Sequence, residues 1–231
     1  MKNMKRISLL LVLVLTLSLG AAFAEADVPS PGVGDSIVIL EDTAVTSSGA
    51  ELPEEFIAAI LQPQEATPEE TAVVQAAQEA ISAFVTENTV PVIEYFPAEV
   101  QAAVIEQLPV DEAGALTVEA ETLVLRELFP YAFNALTPLY AEEYGDVTVS
   151  VYFPVEFEAD DTAVAMLGVL PAADEEAAAD ATAATPDVAT VNWIVLPTVV
   201  AEDGTLEITF TADAFAQVGE NDTTFIAVLA A

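Results

Sequence analysis

The stretch DVTVSVYF, Asp146–Phe153, decides the reading of the chain. Val147, Val149, Val151 and Phe153 alternate with Asp146, Thr148, Ser150 and Tyr152, the period-2 pattern of a strand with one face buried. Downstream, Leu206, Ile208 and Phe210 alternate in the same way with Glu207, Thr209 and Thr211. Between and after these runs lie further apolar segments: Val155–Glu158, Ala163–Leu170, Val191–Pro197 around the single tryptophan, Trp193, and Thr223–Leu229. Each is predicted to be a strand. Asp160-Asp161 and Glu202-Asp203-Gly204 supply the turns between them. Val199 and Val200 read as the end of the Trp193 strand. Short strands at regular spacing favour an antiparallel pair of sheets over a parallel one. The Ala-, Thr- and acid-rich run from Pro171 to Thr190 reads as a long exposed loop.

Upstream of Gly145 the period changes from 2 to 3.6. Leu52–Leu61 fits a short helix. Thr67-Pro68-Glu69-Glu70 has the makings of a helix start: Thr67 as N-cap, Pro68 in the first turn, Glu70 to complete a capping box. Val73, Val74, Ala77, Ile81, Phe84 and Val85 follow on one face. A third helix is predicted over Pro97–Leu108, with Val100, Val104 and Leu108 inward. Asp111–Gly114 is a boundary turn. Thr117–Leu128 fits either a fourth helix or the first strand of the β-module, and strand is favoured from about Leu123. Glu25–Ala50, rich in Pro, Gly, Ser and Thr, reads as an extended spacer, with Ile37–Leu40 a candidate edge strand.

The first 24 residues read as a signal peptide: Lys2, Lys5 and Arg6, an apolar run from Ile7 to Leu19, then Ala22-Phe23-Ala24 as a small-x-small cleavage site. About 13 apolar residues is short for a bilayer that needs roughly 20. Export and an extracellular or surface-associated location are therefore expected, with no membrane insertion once the signal is removed. Cleavage leaves Arg126 alone against 39 acidic residues, a formal charge of −38. No cation remains to displace counterions from phosphates, which excludes nucleic acid as a partner. An anionic membrane surface is repelled too. A protein or glycan partner is left. The apolar share of 54% separates the chain from disordered polyanions and predicts a packed core.

Residue types close off most catalytic chemistries. The chain has no His and no Cys, so Ser–His–Asp and Cys–His catalysis and ordinary zinc or haem ligation have no residues to use. No Lys lies beyond Lys5, so no Schiff base is available. Carboxylates remain. Two of them at the right separation, one with a raised pKa, are what glycoside hydrolysis needs. Hard cations also seek clustered oxygens. Glu156, Glu158, Asp160 and Asp161 form the candidate calcium cluster, with Asp174-Glu175-Glu176 as a second acidic run; neither has EF-hand spacing. No other cofactor is implied. Arg126 reads as a partner for Glu127 or a distant acid. Trp193, Phe215 and Tyr131, Tyr140 and Tyr144 read as core rather than ligand platforms.

The segment Glu202–Gly219 (EDGTLEITFTADAFAQVG), between NWIVLP and FIAVL, resembles the closing strands of Ig-like modules in secreted and surface proteins of Gram-positive bacteria. Asp203-Gly204 stands at the turn, Ile208–Thr211 in the strand, and Phe215 at the inward ring position. Ala214 and Ala216 occur where that family often carries His and Ser. The resemblance implies a scaffold or binding role and brings no catalytic residues. The expected fold class is thus α+β, a short helical N-terminal region (51–110) followed by an antiparallel Ig-like β-sandwich (117–231) with its acidic loop at 171–190. The expected function is a non-enzymatic secreted or surface-associated bacterial protein for adhesion, scaffolding or ligand binding. The alternatives are a carboxylate-dependent glycan hydrolase and a calcium-dependent structural module.

Overall fold

Two strands with alternating sequence meet at the centre of one sheet. The structure is a computed structural model that describes residues 38–39, 45–52, 67–131, 144–152, 157–158, 161–172, 188–219 and 222–231. The first 24 residues (read as a signal peptide), the helix expected at Leu52–Leu61 beyond Leu52, Glu156, Asp160, Asp174–Glu176, Tyr140 and most of the expected acidic loop lie outside these residues. The described residues all belong to one compact unit, Gly32–Ala231.

Strand β4 (Val147–Tyr152) pairs antiparallel with β8 (Leu206–Phe210), matching Val147 to Phe210, Val149 to Ile208 and Val151 to Leu206. All six side chains are buried. Thr148 and Thr209 lie opposite each other on the outer face, their hydroxyls 2.8 Å apart. The short strands β1 (Val38–Ile39) and β2 (Val45–Thr46) pair with β4, and β7 (Thr198–Val200) pairs with β8 to complete this five-stranded sheet. The region read as a spacer thus supplies two short strands, one of them at the Ile37–Leu40 run.

The second sheet has the order β3-β9-β5-β6, with β3 at Val124–Pro130, β5 at Ala163–Leu170, β6 at Asn192–Leu196 and β9 at Thr223–Ala230. Strand therefore holds over helix from Val124, after a single 3-10 turn at Ala120–Thr122. All pairings in both sheets are antiparallel. Phe157 and Glu158 are not in a strand, so the strand expected at Val155–Glu158 does not reach its second half. At Pro197 the chain leaves β6 in one sheet and enters β7 in the other. Proline has no N–H to continue a ladder, and its carbonyl accepts from Thr209 N at 2.9 Å instead. What read as one strand is two.

Strands β5 and β9 do not alternate because both of their faces are covered. One face packs against the β4–β8 sheet through Ala165, Leu167, Val169, Ile226 and Val228. The other packs Val164, Met166, Phe225, Ala227 and Leu229 against helices. Helix α1 (Pro68–Asn88) starts with the capping box: Glu70 N donates to Thr67 Oγ1 at 3.2 Å and Thr67 N donates to Glu70 Oε2 at 2.6 Å. It brings Val73, Val74, Ala77 and Ile81 onto that sheet face. Helix α2 (Ala98–Gln107) adds Val100 and Val104, followed by Leu108. The molecule is α+β, built as three layers: sheet, sheet, helices. Neither apolar face of the central layer is left open.

Candidate functional site

The acidic turns at one end of the paired sheets are where the sequence placed its candidate ligands. Glu158 and Asp161 do share a turn. Asp161 N donates to the Glu158 carbonyl at 2.9 Å, and Glu158 N donates to Asp161 Oδ2 at 2.9 Å. The β7–β8 turn abuts it. Gly204, at φ +80°, sits where an added Cβ would lie 2.6 Å from the Phe157 carbonyl oxygen. In that second turn Asp203 Oδ1 accepts from Thr205 Oγ1 at 2.7 Å and from Thr205 N at 3.1 Å. The Thr205 bonds, side chain first and then backbone, hold the Asp203 carboxyl below the usual carboxylate range. Any stability this gives is present above the ordinary carboxylate pKa and is lost as pH falls through the lowered one.

These bonds bear on what the carboxylates can do. Calcium takes six to eight oxygens at about 2.3–2.6 Å. Asp161 and Asp203 each commit an oxygen to their own turn, and the Glu158 side chain is exposed. Among the described residues no group of three or more acidic side chains is gathered to hold a metal. Other carboxylates act in the same structural way, among them Asp111, whose Oδ1 accepts from Ala113 N at 2.8 Å and Ala115 N at 2.9 Å. Asp146 Oδ1 accepts from Ala212 N at 2.9 Å, at the start of the short helix α3 (Ala212–Phe215). Asp222 accepts from Gly219 N at 2.7 Å and from Ala172 N at 3.1 Å, tying the end of β5 to the approach of β9. Sequence reading had no signal for the Asp146 and Asp222 roles, because one Asp among 39 acids looks like any other.

Glycoside hydrolysis sets a different requirement, a carboxyl whose pKa is raised by burial. No described carboxylate is buried. Among the described aromatic side chains, Phe84 and Tyr95 are partly exposed, with ring centroids 5.6 Å apart, and the others are buried. Trp193 makes edge-to-face contacts with Phe96 at 5.1 Å and with Phe225 at 5.3 Å between centroids. Phe215, the last residue of α3, is 1% exposed, and its ring lies 5.9 Å from the Phe210 ring. Tyr131 stacks on Phe210 at 5.3 Å, and burial pushes its phenol far above the usual range. Tyr144 is buried as well. These rings are core, as the sequence suggested.

Arg126 is the residue left out of register on β3, between the pairs Leu125–Leu229 and Glu127–Val228. It is partly buried on an edge strand. Among the described residues no helix is long and apolar enough to cross a membrane. No protein-family model matches the chain, and neither a curated protein nor a solved structure matches it.

Proposed function

We propose that the chain is an exported, non-enzymatic binding or scaffolding protein, carried outside the cytoplasm by its first 24 residues and built on an Ig-like β-sandwich. The observation that carries this reading is the partition of the side chains. No described carboxylate is buried, while every described aromatic ring except the partly exposed Phe84 and Tyr95 is buried. A hydrolase built on two carboxylates needs the reverse at one place, a sheltered acid beside an exposed ring. The facing antiparallel sheets, the strand that changes sheets at Pro197 and the inward Phe215 support the Ig-like assignment. A surface with this charge selects partners that carry positive or neutral groups, through electrostatic complementarity rather than through a deep pocket.

The test is turnover. Residues 25–231 are incubated with a panel of neutral and cationic oligosaccharides, and products are followed by mass spectrometry. The expected outcome is no hydrolysis. Hydrolysis abolished by a single Glu→Gln or Asp→Asn substitution would overturn the reading in favour of the glycan hydrolase. Intact mass of the exported protein tests the location: a chain beginning at Glu25 is expected, and one retaining Met1 contradicts it.

A further inference from the structure

The chain contains four basic residues, and three of them are Lys2, Lys5 and Arg6. A protease that cleaves after Lys or Arg therefore finds one target beyond Arg6, the Arg126–Glu127 bond. That bond lies in the middle of β3, and the ladder to β9 runs on both sides of it, from Val124–Ala230 to Pro130–Phe225. Endoproteases take several residues on each side of the scissile bond in extended, unpaired form, so cleavage requires most of β3 to leave the sheet. The anchors against that are buried side chains: Leu123 is 2% exposed, Leu128 4% and Phe129 7%. They face two different cores, Leu123 and Leu128 under the helices and Phe129 between the sheets. Detaching β3 thus opens both interfaces of the central layer.

We propose that this placement makes the folded chain refractory to trypsin-like endoproteases, with β3 as the element whose release admits the cut. Proteolysis of a transiently opened segment follows the population of its open form. A strand locked into two cores opens only with most of the global unfolding free energy, so the native chain is cut slower than the unfolded one by about 1,000-fold or more.

The experiment treats the full chain with trypsin in buffer and in a urea concentration that unfolds it, with rates corrected for trypsin activity on a small amide substrate. The unfolded chain is expected to yield one cut beyond Arg6, giving fragments that end at Arg126 and begin at Glu127, while the native chain stays uncut at Arg126 for about 1,000 times longer. Ala113→Lys supplies the comparison in the folded state. Ala113 is exposed at the tip of the Asp111–Gly114 turn, where a new lysine meets the same acidic surroundings without a sheet. Cleavage after residue 113 is expected to outpace cleavage after Arg126 by about 100-fold. Native cleavage at Arg126 within tenfold of the unfolded rate would overturn the proposal. So would equal resistance of Ala113→Lys, because surface acidity and not β3 would then be the protection.

Discussion

Gly168 is the position where one added methyl group should test the central packing most directly. It stands in β5 opposite Phe225 of β9 on one side and Trp193 of β6 on the other. All three face the helices, and the Phe225 and Trp193 rings meet edge to face across the strand. A Cβ at Gly168 would lie 2.5 Å from both Cε2 and Cζ of Phe225. Ordinary contact begins near 3.4 Å, so the ring must move by about 1 Å, and Phe225 is 0% exposed with nowhere to go. Overpacking of this kind costs about 1–3 kcal/mol. Glycine's own entropic disadvantage in a strand returns roughly 0.5–1 kcal/mol. A net loss of about 1–2 kcal/mol for Gly168→Ala lowers the melting temperature by roughly 2–8 °C at this chain length. Phe225→Leu alone costs about 1–1.5 kcal/mol. The double variant should lose at least about 1 kcal/mol less than the two singles together, because the smaller side chain makes room for the methyl. Urea unfolding followed through Trp193, the single tryptophan, measures all three. Additivity within about 0.5 kcal/mol would mean that the ring does not cover Gly168, and the packing argument would fall.

Two further expectations concern charge. Burial raises the pKa of Tyr131 far above the phenol range, and burial raises that of half-buried Tyr95 as well. A folded-state pKa raised above the unfolded one gives stability that is complete below about pH 10 and is lost as pH rises beyond it. Urea midpoints should hold to pH 9 and fall between pH 10 and 11, and Tyr131→Phe should flatten that fall; an unchanged slope would place the alkaline sensitivity elsewhere. Self-repulsion among the acids predicts a melting temperature that rises between 0.01 and 0.1 M NaCl, as the Debye length contracts from about 30 to about 10 Å. Millimolar Ca²⁺ at matched ionic strength should add nothing to this. An added rise would point to a specific cation site and make the acidic runs Glu156–Asp161 and Asp174–Glu176 its candidates.

The parts of the fold that could be read from sequence are those fixed by local chemistry. The capping box at Thr67 and Glu70 depends on four consecutive residues and comes out as read. Strands β4 and β8 show a clean period because one face meets the core and the other carries Thr148, Ser150, Glu207 and Thr209. β5 and β9 carry no such period, since both of their faces are covered, and they are legible only as apolar runs of strand length. The sequence left the helices either packed on the sandwich or tethered to it, and it did not decide that α1 and α2 form the second cover. That cover depends on Val74 or Ile81 finding Met166 and Leu229, and no local pattern encodes such pairings. The split at Pro197 was missed for a related reason. A proline after an apolar run marks an end, but not that the next three residues join the opposite sheet.

The site was less legible than the fold, and the cause lies in the composition. A functional carboxylate is recognised by an environment unlike that of its neighbours, and with 39 acids the sequence offers no contrast. The structure restores contrast of another kind. Glu70, Asp111, Asp146, Asp161, Asp203 and Asp222 are set apart by the backbone N–H groups they accept from, and in each case the bond closes a turn, caps a helix or ties two strands. The basic residues reverse the logic. Arg126 is conspicuous in sequence because it is alone after Arg6, yet its surroundings explain it only once β3 is seen to slip register there and to run along the edge of a sheet whose next strand is buried on both faces. Scarcity made it visible, and topology sets it, partly buried, within a paired edge strand. A surface almost wholly of one sign favours solubility, and the one Lys/Arg bond beyond Arg6 lies inside a paired strand, where its cleavage depends on how often β3 opens.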